Sequence, residues 1–357
     1  VAESQEGEAG DGTSSAVAIA GELLKNAEDL IEQDIHPTAI IRGFNLASER
    51  AREEIGNVAE SVDTDDEAIL RQVAETSITG KGAEVNKEVI AGLVVDAVRR
   101  VTVEADDGGN VVDLEYVNVE TQTGRSVGES ELLSGAVVDK DPTHDDMPTD
   151  FEDANILLTN VPIEVSEADV DTQISVDDPS QLQQFLDKEE EEIRETVTRI
   201  KDAGVDVVFC QKGIDDLAQH YLAKEGILAV RRVKKSDITF MKEVLGCSIV
   251  SDLSDFSEAD LGRGSVERDE DDELFYVTGD DEESHGVTLL LRGSTEHVVD
   301  ELERGVSDAL EVVTQTVADG RVLAGGGAVE VELASRVRDY ADSVSGREQL
   351  AVEAFAD

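Results

Sequence analysis

Apolar residues return every three or four positions from Ala16 onward, at Val17, Ala20, Leu24, Ala27 and Ile31. This is the period of a helix that buries one stripe. A second such run, through Ile41, Phe44, Ala47, Ala51 and Ile55, follows the break at His36-Pro37-Thr38, so the spacing predicts two packed helices. Beyond the acidic linker SVDTDDE the helical period returns over residues 67–77 and 84–100. VVDLEYVNVE, behind a DDGGN turn, alternates like a strand.

Between about residues 152 and 251 the pattern changes. NILLTNV, VDVVFC, ILAVRRV and CSIV read as strands, separated by helical stretches at 179–203, 214–225 and 235–245. Strands alternating with helices predict an α/β layer with parallel pairing. RDEDDE and GDDEES flank LFYVTG, which reads as an exposed hairpin, and VTLLLRG reads as a buried strand ahead of a helix over about 295–318. VLAGGGAVEVELASRVRDY then reads as strand, glycine turn and helix. No internal repeat interrupts this order, and the fold class expected is α/β and α, in several domains.

The chain has 357 residues and 39% hydrophobic content, enough for two or three buried cores. Its 83 Asp and Glu against 30 Lys and Arg give a formal charge of -53. Nucleic acid and anionic membrane faces are therefore repelled over most of the surface. The acids are interleaved with periodic Val, Leu and Ile, so they read as a surface property and not as a disordered tail. With only 11 Lys to 19 Arg, the balance points to a protein kept soluble in concentrated salt, where its self-repulsion is screened. Cys210 and Cys247 sit in apolar runs without CxxC spacing, which predicts core thiols and no zinc site. No apolar run approaches the roughly 18 residues of a membrane span, and no secretory signal opens the chain. A cytoplasmic location is expected. A start at Val1 and an end inside an apparent helix, at EQLAVEAFAD, suggest a piece of a longer protein.

Four stretches can carry chemistry. Gly10-Asp11-Gly12-Thr13-Ser14-Ser15 places a carboxylate and three hydroxyls ahead of the first helix. Unpaired N–H groups and the positive end of the dipole there suit a phosphate, with Asp11 beside it for a hydrated Mg²⁺. A turn at Asp11-Gly12 with Thr13 or Ser14 as a plain N-cap fits the same residues. Gly80-Lys81-Gly82 is not a Walker loop, since Glu75 and Gly82 stand where that pattern needs Gly and Ser or Thr. Lys81 reads either as a point charge for a terminal phosphate or as an exposed loop lysine. Gly325-Gly326-Gly327 allows close backbone approach to a ligand, or serves only as a tight strand-to-helix turn. Asp308 stands beside a mainly apolar helical stripe, where a solvated position is the plain reading. The five His form no ligand pair, and no Ser-His-Asp or Cys-His arrangement follows from the spacing. Glu189 to Glu192 lie on a helix whose other face carries Leu182, Phe185, Leu186, Ile193, Val197 and Ile200, which reads as a solvated face.

QEGEAGDGTSS, GELLKNAEDLIEQDIHPTAIIRGF, TGKGAEVNKEVIAGLVVDAV, CQKGIDDLAQHYLAKEGILAVRRVKKSDI, LLRGSTEHVVDELERGVSDALEVV, VLAGGGAVEVELA and GREQLAVEAF, in this order, resemble an archaeal group II chaperonin, the thermosome. The resemblance covers the entire chain. It implies a chaperonin-type subunit with a helical equatorial part, an α+β intermediate domain and an α/β apical domain with a helical protrusion. The corresponding boundaries are 1–66 and 323–357 (equatorial, partial), 67–135 and 287–322 (intermediate) and 136–286 (apical).

It further implies ATP and Mg²⁺ as cofactors and ATP-driven folding of unfolded client proteins in a stacked double ring of like subunits. By the resemblance, Asp11 is the magnesium-linked acid, Gly10, Gly12, Thr13, Ser14 and Ser15 cradle phosphate, and Lys81 senses the terminal phosphate. Asp308 orients the attacking water, and Gly325, Gly326 and Gly327 turn against the nucleotide. The family usually has Thr where Ser14 and Ser15 stand. Its earlier phosphate loop and most of its C-terminal equatorial part are absent from this sequence, so the ATP site is expected to be incomplete. Two other functions fit the residues: a holdase that binds unfolded chains through the apical part without hydrolysis, and a small phosphate-metabolising α/β enzyme.

Overall fold

A computed structural model describes Gln5 and residues 12–79, 86–105, 109–164, 179–280 and 286–357, without the side chains of 104 and 179–186. The chain divides into two compact units. One holds Val1–Val95, Val103–Val112 and Glu301–Asp357; the other holds Asp96–Thr102 and Asp113–Asp300.

The first unit is mainly helical. Helix α1 (Thr13–Glu32) leads to α2 (Pro37–Val58), whose start is fixed by Pro37 at the first helical position and by His36 Nδ1, which accepts from Thr38 N at 3.2 Å. Strand β1 (Glu60–Ser61) follows, then α3 (Glu67–Ile78), capped by Asp66, and α4 (Lys87–Arg100), which begins in this unit. The short strands β2 (Thr102–Glu104) and β3 (Asn110–Val112) pair with each other. The chain re-enters the unit along α8 (Glu296–Asp319), continues through β14 (Arg321–Val322), and ends in α9 (Ala328–Ala341) and α10 (Glu348–Ala356).

Helices α2, α9 and α10 pack through small residues: Ala47, Val337, Ala341, Val352 and Ala356 form one buried cluster, and Leu30, Ile35, Ile40 and Ala351 form a second. Gly43 sets the approach of α2 to α10. A Cβ there would fall 2.4 Å from Ala351 Cβ and 2.7 Å from the Glu348 carbonyl oxygen. Phe44 and Phe355 meet edge to face at 5.7 Å.

The expected stripes are only partly buried. On α1 the inward residues are Leu30 and, in part, Ala27, whereas Val17, Leu24 and Ile31 face outward; on α2, Ile41 and Ile55 are exposed and Ile40 is buried instead. The helices form where the periodicity places them, but the faces that find partners are those with Ala and Gly, which let backbones come close.

The second unit is built on two sheets. Strand β4 (Val117–Thr123) runs parallel to β13 (Val287–Gly293), which pairs antiparallel with β5 (Glu131–Ser134) on its other edge. The seven-stranded sheet has β6 (Ala136–Val138), β12 (Leu274–Gly279), β11 (Gly262–Asp269), β7 (Phe151–Thr159), β8 (Val207–Cys210) and β9 (Leu228–Val230) side by side, and β10 (Ile249–Val250) also pairs with β7. Helices α5 (Pro179–Asp202), α6 (Asp216–Lys224) and α7 (Lys235–Leu245) connect β7, β8, β9 and β10 in that order.

Three sequence expectations need correction here. The sheet is mixed: β7, β8, β9 and β10 are parallel as expected, but β11, β12 and β6 add antiparallel pairs. The run 111–120 is not one strand, because Asp113 Oδ1 accepts from Glu115 N at 2.9 Å and caps a 3₁₀ turn at Leu114–Tyr116 before β4 begins. The β11–β12 hairpin is not exposed throughout: Arg263, Glu267 and the acidic turn face outward, but Phe275 and Val277 are fully buried in the sheet core.

That core gathers Ile156, Leu157, Leu158, Val207, Val208 and Phe209 with the inner faces of α5, α6 and α7, and Cys210 and Cys247 are buried within it. Burial pushes both thiols up to about 11. On α5, Ile193, Val197 and Ile200 are buried, Glu190 and Glu191 are exposed, and Glu189 and Glu192 are half-buried. Ionic contacts join the elements of the small sheet to those of the large one, Arg125 after β4 pairing with Asp272 among them. Arg292 on β13 reaches Asp272 in the β11–β12 turn at 2.8 Å, and Lys234 ahead of α7 reaches Glu120 on β4 at 3.0 Å.

Candidate functional site

Gly10, Asp11 and Lys81 lie outside the described residues. The remaining candidates, Gly12, Thr13, Ser14, Ser15, Asp308, Gly325, Gly326 and Gly327, all fall in the first unit.

Gly12 is the N-cap of α1. Its φ of 79° is left-handed, and no side chain caps the helix. Ala16 N closes the first turn onto Gly12 O at 2.9 Å. The plain alternative, Thr13 or Ser14 as the N-cap, is therefore set aside: Thr13 is the first helical residue, half-buried, and Ser14 and Ser15 follow it, exposed, within the first turn. A glycine cap has no side-chain oxygen to offer, so the first-turn N–H groups gain no side-chain acceptor from it.

The glycine triplet repeats this arrangement. Helix α8 ends at Gly320 in the left-handed region, with φ 63°; β14 then pairs antiparallel with β1, and the chain turns through Leu323–Gly327 into α9. Gly326 and Gly327 have φ of 70° and 81°, a conformation that disfavours any Cβ. Gly327 is the N-cap of α9, again without a side-chain cap. Nothing stands within 4 Å of where a Cβ would project at Gly325, Gly326 or Gly327, and all three are exposed. Packing therefore gives no reason for a glycine at 325.

Asp308 sits mid-way along α8, half-buried beside the buried stripe Val306, Ala309, Leu310 and Val313. A fully solvated position, the plain reading of its spacing, is not what the structure shows.

The helix that carries the second glycine cap is anchored by a buried acid that the sequence pattern did not single out. Glu54 on α2 is buried and receives Arg336 of α9 at 2.6 Å and Asn57 at 3.0 Å, with Arg50 paired to its other oxygen. The hydrogen bond from Arg336 holds the Glu54 carboxyl below its ordinary range. The i,i+4 spacing of Arg50 and Glu54 was visible in the sequence. Its partner 282 residues away was not.

Two helix starts with glycine caps, one followed by three hydroxyls, suit an anionic group such as phosphate. Among the described residues no three His, Cys, Asp or Glu side chains gather to hold a metal ion, and no helix is long and apolar enough to cross a membrane.

The TCP-1/cpn60 chaperonin family matches the chain over residues 1–357. The chain belongs to this family. It is 71% identical over its whole length to thermosome subunit 2 of Haloferax volcanii and 68% identical to thermosome subunit beta of Halobacterium salinarum, in each case covering 64% of the relative. Among solved structures it is similar to the open-state monomer of a group II chaperonin from Methanococcoides burtonii, with 42% identity and a TM-score of 0.74 over 97% of this chain and 80% of that one. The fold is thus a chaperonin fold, and the mixture of a helical unit with an α/β unit is how it is realised here. The chain spans 64% of the length of these curated relatives.

Proposed function

We propose that this chain is part of an ATP-dependent chaperonin subunit that binds unfolded proteins and promotes their folding, working in a stacked double ring in the cytoplasm of a salt-adapted cell. The observation that carries this reading is the pair of glycine-capped helix starts at Gly12 and Gly327, in one unit with half-buried Asp308, in a chain of the chaperonin family. Phosphoryl transfer needs positioning and charge neutralisation more than covalent chemistry. In this reading the first-turn N–H groups of α1, with Gly10, Gly12, Thr13, Ser14 and Ser15, would hold phosphate oxygens, and Asp11 would hold the magnesium ion. Lys81 adds a point charge at the terminal phosphate, and Gly325, Gly326 and Gly327 let backbone lie against the nucleotide. Asp308 accepts a hydrogen bond from the attacking water, aligning it and drawing off its proton. Bound magnesium would offset phosphate charge that this acidic protein otherwise repels.

We also assign residues 1–66 and 323–357 to an equatorial domain, 67–135 and 287–322 to an intermediate domain, and 136–286 to an apical domain that engages clients. A holdase that binds unfolded chains through the apical part without turnover is the second reading, compatible with the second unit holding none of the described nucleotide-site candidates.

Asp308→Ala in the completed subunit tests the site. Hydrolysis is expected to fall by about two to three orders of magnitude, as for loss of a group acting on the water, while ATP still binds in a filter assay. Unchanged turnover removes Asp308 from the mechanism. ATP turnover by the 357-residue chain at the rate of the completed subunit removes the holdase reading.

A further inference from the structure

The parallel part of the large sheet has a strand order that reverses at β7. From β7 the chain winds through α5 to β8 and through α6 to β9 on one side, and α7 then returns it to β10 on the other side of β7. The spatial order β9-β8-β7-β10 is that of a doubly wound sheet, whose ligands sit outside the carboxyl ends of the strands where the order reverses. The ends of β7 and β10 are tied together there: Thr159 Oγ1 and Asn160 N both donate to Val250 O, at 2.9 and 3.3 Å.

A cavity of about 270 Å³ lies at this point. One wall is Val161–Glu164, directly after β7; the opposite wall is Ser251–Ser254, directly after β10; Ile193, Thr196 and Arg199 of α5 close it. Topology and cavity are independent observations, and they coincide. The site lies in the second unit, which holds none of the described nucleotide-site candidates.

The lining selects the ligand. Val161, Ile163, Ile193 and Leu253 supply an apolar floor. Arg199 Nη1 donates to the Leu253 carbonyl at 2.8 Å, which leaves its positive charge in place beside Asp252, whose ionised form it favours. Asp252 accepts from Ser254 N at 2.8 Å and from Ser254 Oγ at 2.7 Å, which hold its carboxyl below the ordinary range and keep it anionic. Glu164 adds an exposed carboxylate on the rim. The loop after β7 reads Asn160-Val161-Pro162-Ile163-Glu164, with none of the glycines that open a dinucleotide site. With one guanidinium against two carboxylates at the cavity, on a protein of charge -53, an anion is disfavoured.

We propose that this switch-point cavity is a binding site for an organic ammonium group carried on an apolar body, with the body against Ile163, Ile193 and Leu253 and the cation at Glu164. A free small amine and a lysine side chain beside an apolar residue both present this cation, and the chemistry recognised is the same.

The probes are tryptamine, its neutral analogue tryptophol and the anionic indole-3-propionate, titrated calorimetrically into the 357-residue chain in 1 M KCl. Tryptamine is expected to bind saturably at one site, about fivefold more tightly than tryptophol, as one partly exposed charge contact allows, and indole-3-propionate not at all. Glu164→Gln should bring tryptamine down to the affinity of tryptophol without moving tryptophol. Thr196→Trp, which fills the cavity from an accessible position on α5, should abolish both. Equal affinities for tryptamine and tryptophol, or an unchanged tryptamine affinity in Glu164→Gln, overturn the proposal, and Glu164→Gln remains decisive even if Thr196→Trp perturbs the fold. Competition with N-acetyl-leucyl-lysinamide assigns the source. Displacement of tryptamine points to a polypeptide lysine, and failure to displace it points to a free amine.

Discussion

Around the seven-stranded sheet, Ile156, Leu157, Leu158, Phe209 and Phe275 are fully buried, whereas in the helical unit Leu24 is 74% exposed and Val331 71% exposed. Both regions have equally regular apolar patterns. The strands lie in a sheet that α5, α6 and α7 cover, so nearly continuous apolar runs such as NILL and VVFC find neighbours on each face. The helices α1, α2, α9 and α10 meet through Ala47, Ala341, Ala351 and Gly43 beside Leu30, Ile40, Val337 and Val352, while other large apolar residues, Leu24 and Val331 among them, point outward. Periodicity therefore tells which face of a helix is apolar. It does not tell whether anything covers that face.

Phe209→Ala should break the sheet core most severely, costing about 3–5 kcal/mol of unfolding free energy in a urea titration in molar KCl. A loss no larger than that of a surface substitution would show the contrast in burial to be wrong. In the helical unit the sensitive position is a glycine: Gly43→Ala forces α2 away from Ala351 and Glu348, and about 1–3 kcal/mol of overpacking strain is expected. A neutral result there would mean that α2 and α10 do not pack as closely as the structure shows.

Two buried carboxyls at the junction of the sheets sharpen the comparison by responding to pH with opposite signs. Hydrogen bonding from Arg292 holds Asp272 below its ordinary 3.8, so its stabilisation is complete above 3.8 and is lost as pH falls through the lower folded value. Burial raises Asp237 above 3.8, so the cost of ionising it is absent below 3.8 and complete above the raised folded value. The deficit of Asp272→Asn relative to the parent chain should therefore close as pH falls below 3.8. Asp237→Asn should instead gain on the parent as pH rises from 3.8. Parallel pH profiles of the two variants would contradict this assignment.

The smallest effect is expected at Leu24→Ser, which removes an exposed side chain and should stay within about 0.5 kcal/mol. A loss of several kcal/mol would show that the outward face of α1 is covered in solution.

Much of the fold was legible from spacing alone. The helices at 13–32, 37–58 and 235–245 and the strands at 207–210 and 287–293 lie where the patterns placed them, because a 3.6 or 2.0 residue period is a property of the local chain. The run 111–120 misled because one Asx cap at Asp113 converts a strand pattern into a turn and a strand. The antiparallel pairing of β12 with β6 was hidden because partners as far apart in the chain as Phe275 and Val138 leave no mark in either segment. At the candidate site the glycines could be named, and their left-handed conformation follows from Gly being the residue that tolerates it. That Gly12, and not Thr13 or Ser14, caps α1 needed the backbone angles.

By itself the sequence determined the acidic surface, the two buried thiols, the alternation of strand and helix, and the family, since each depends on residue type and order. The tertiary structure decided the mixed sheet, the Glu54–Arg336 anchor, the outward apolar faces and the reversal of strand order that leaves a cavity between β7 and β10. These depend on which distant segments meet, and the free energy of such meetings belongs to pairs of surfaces, which no single stretch of chain contains.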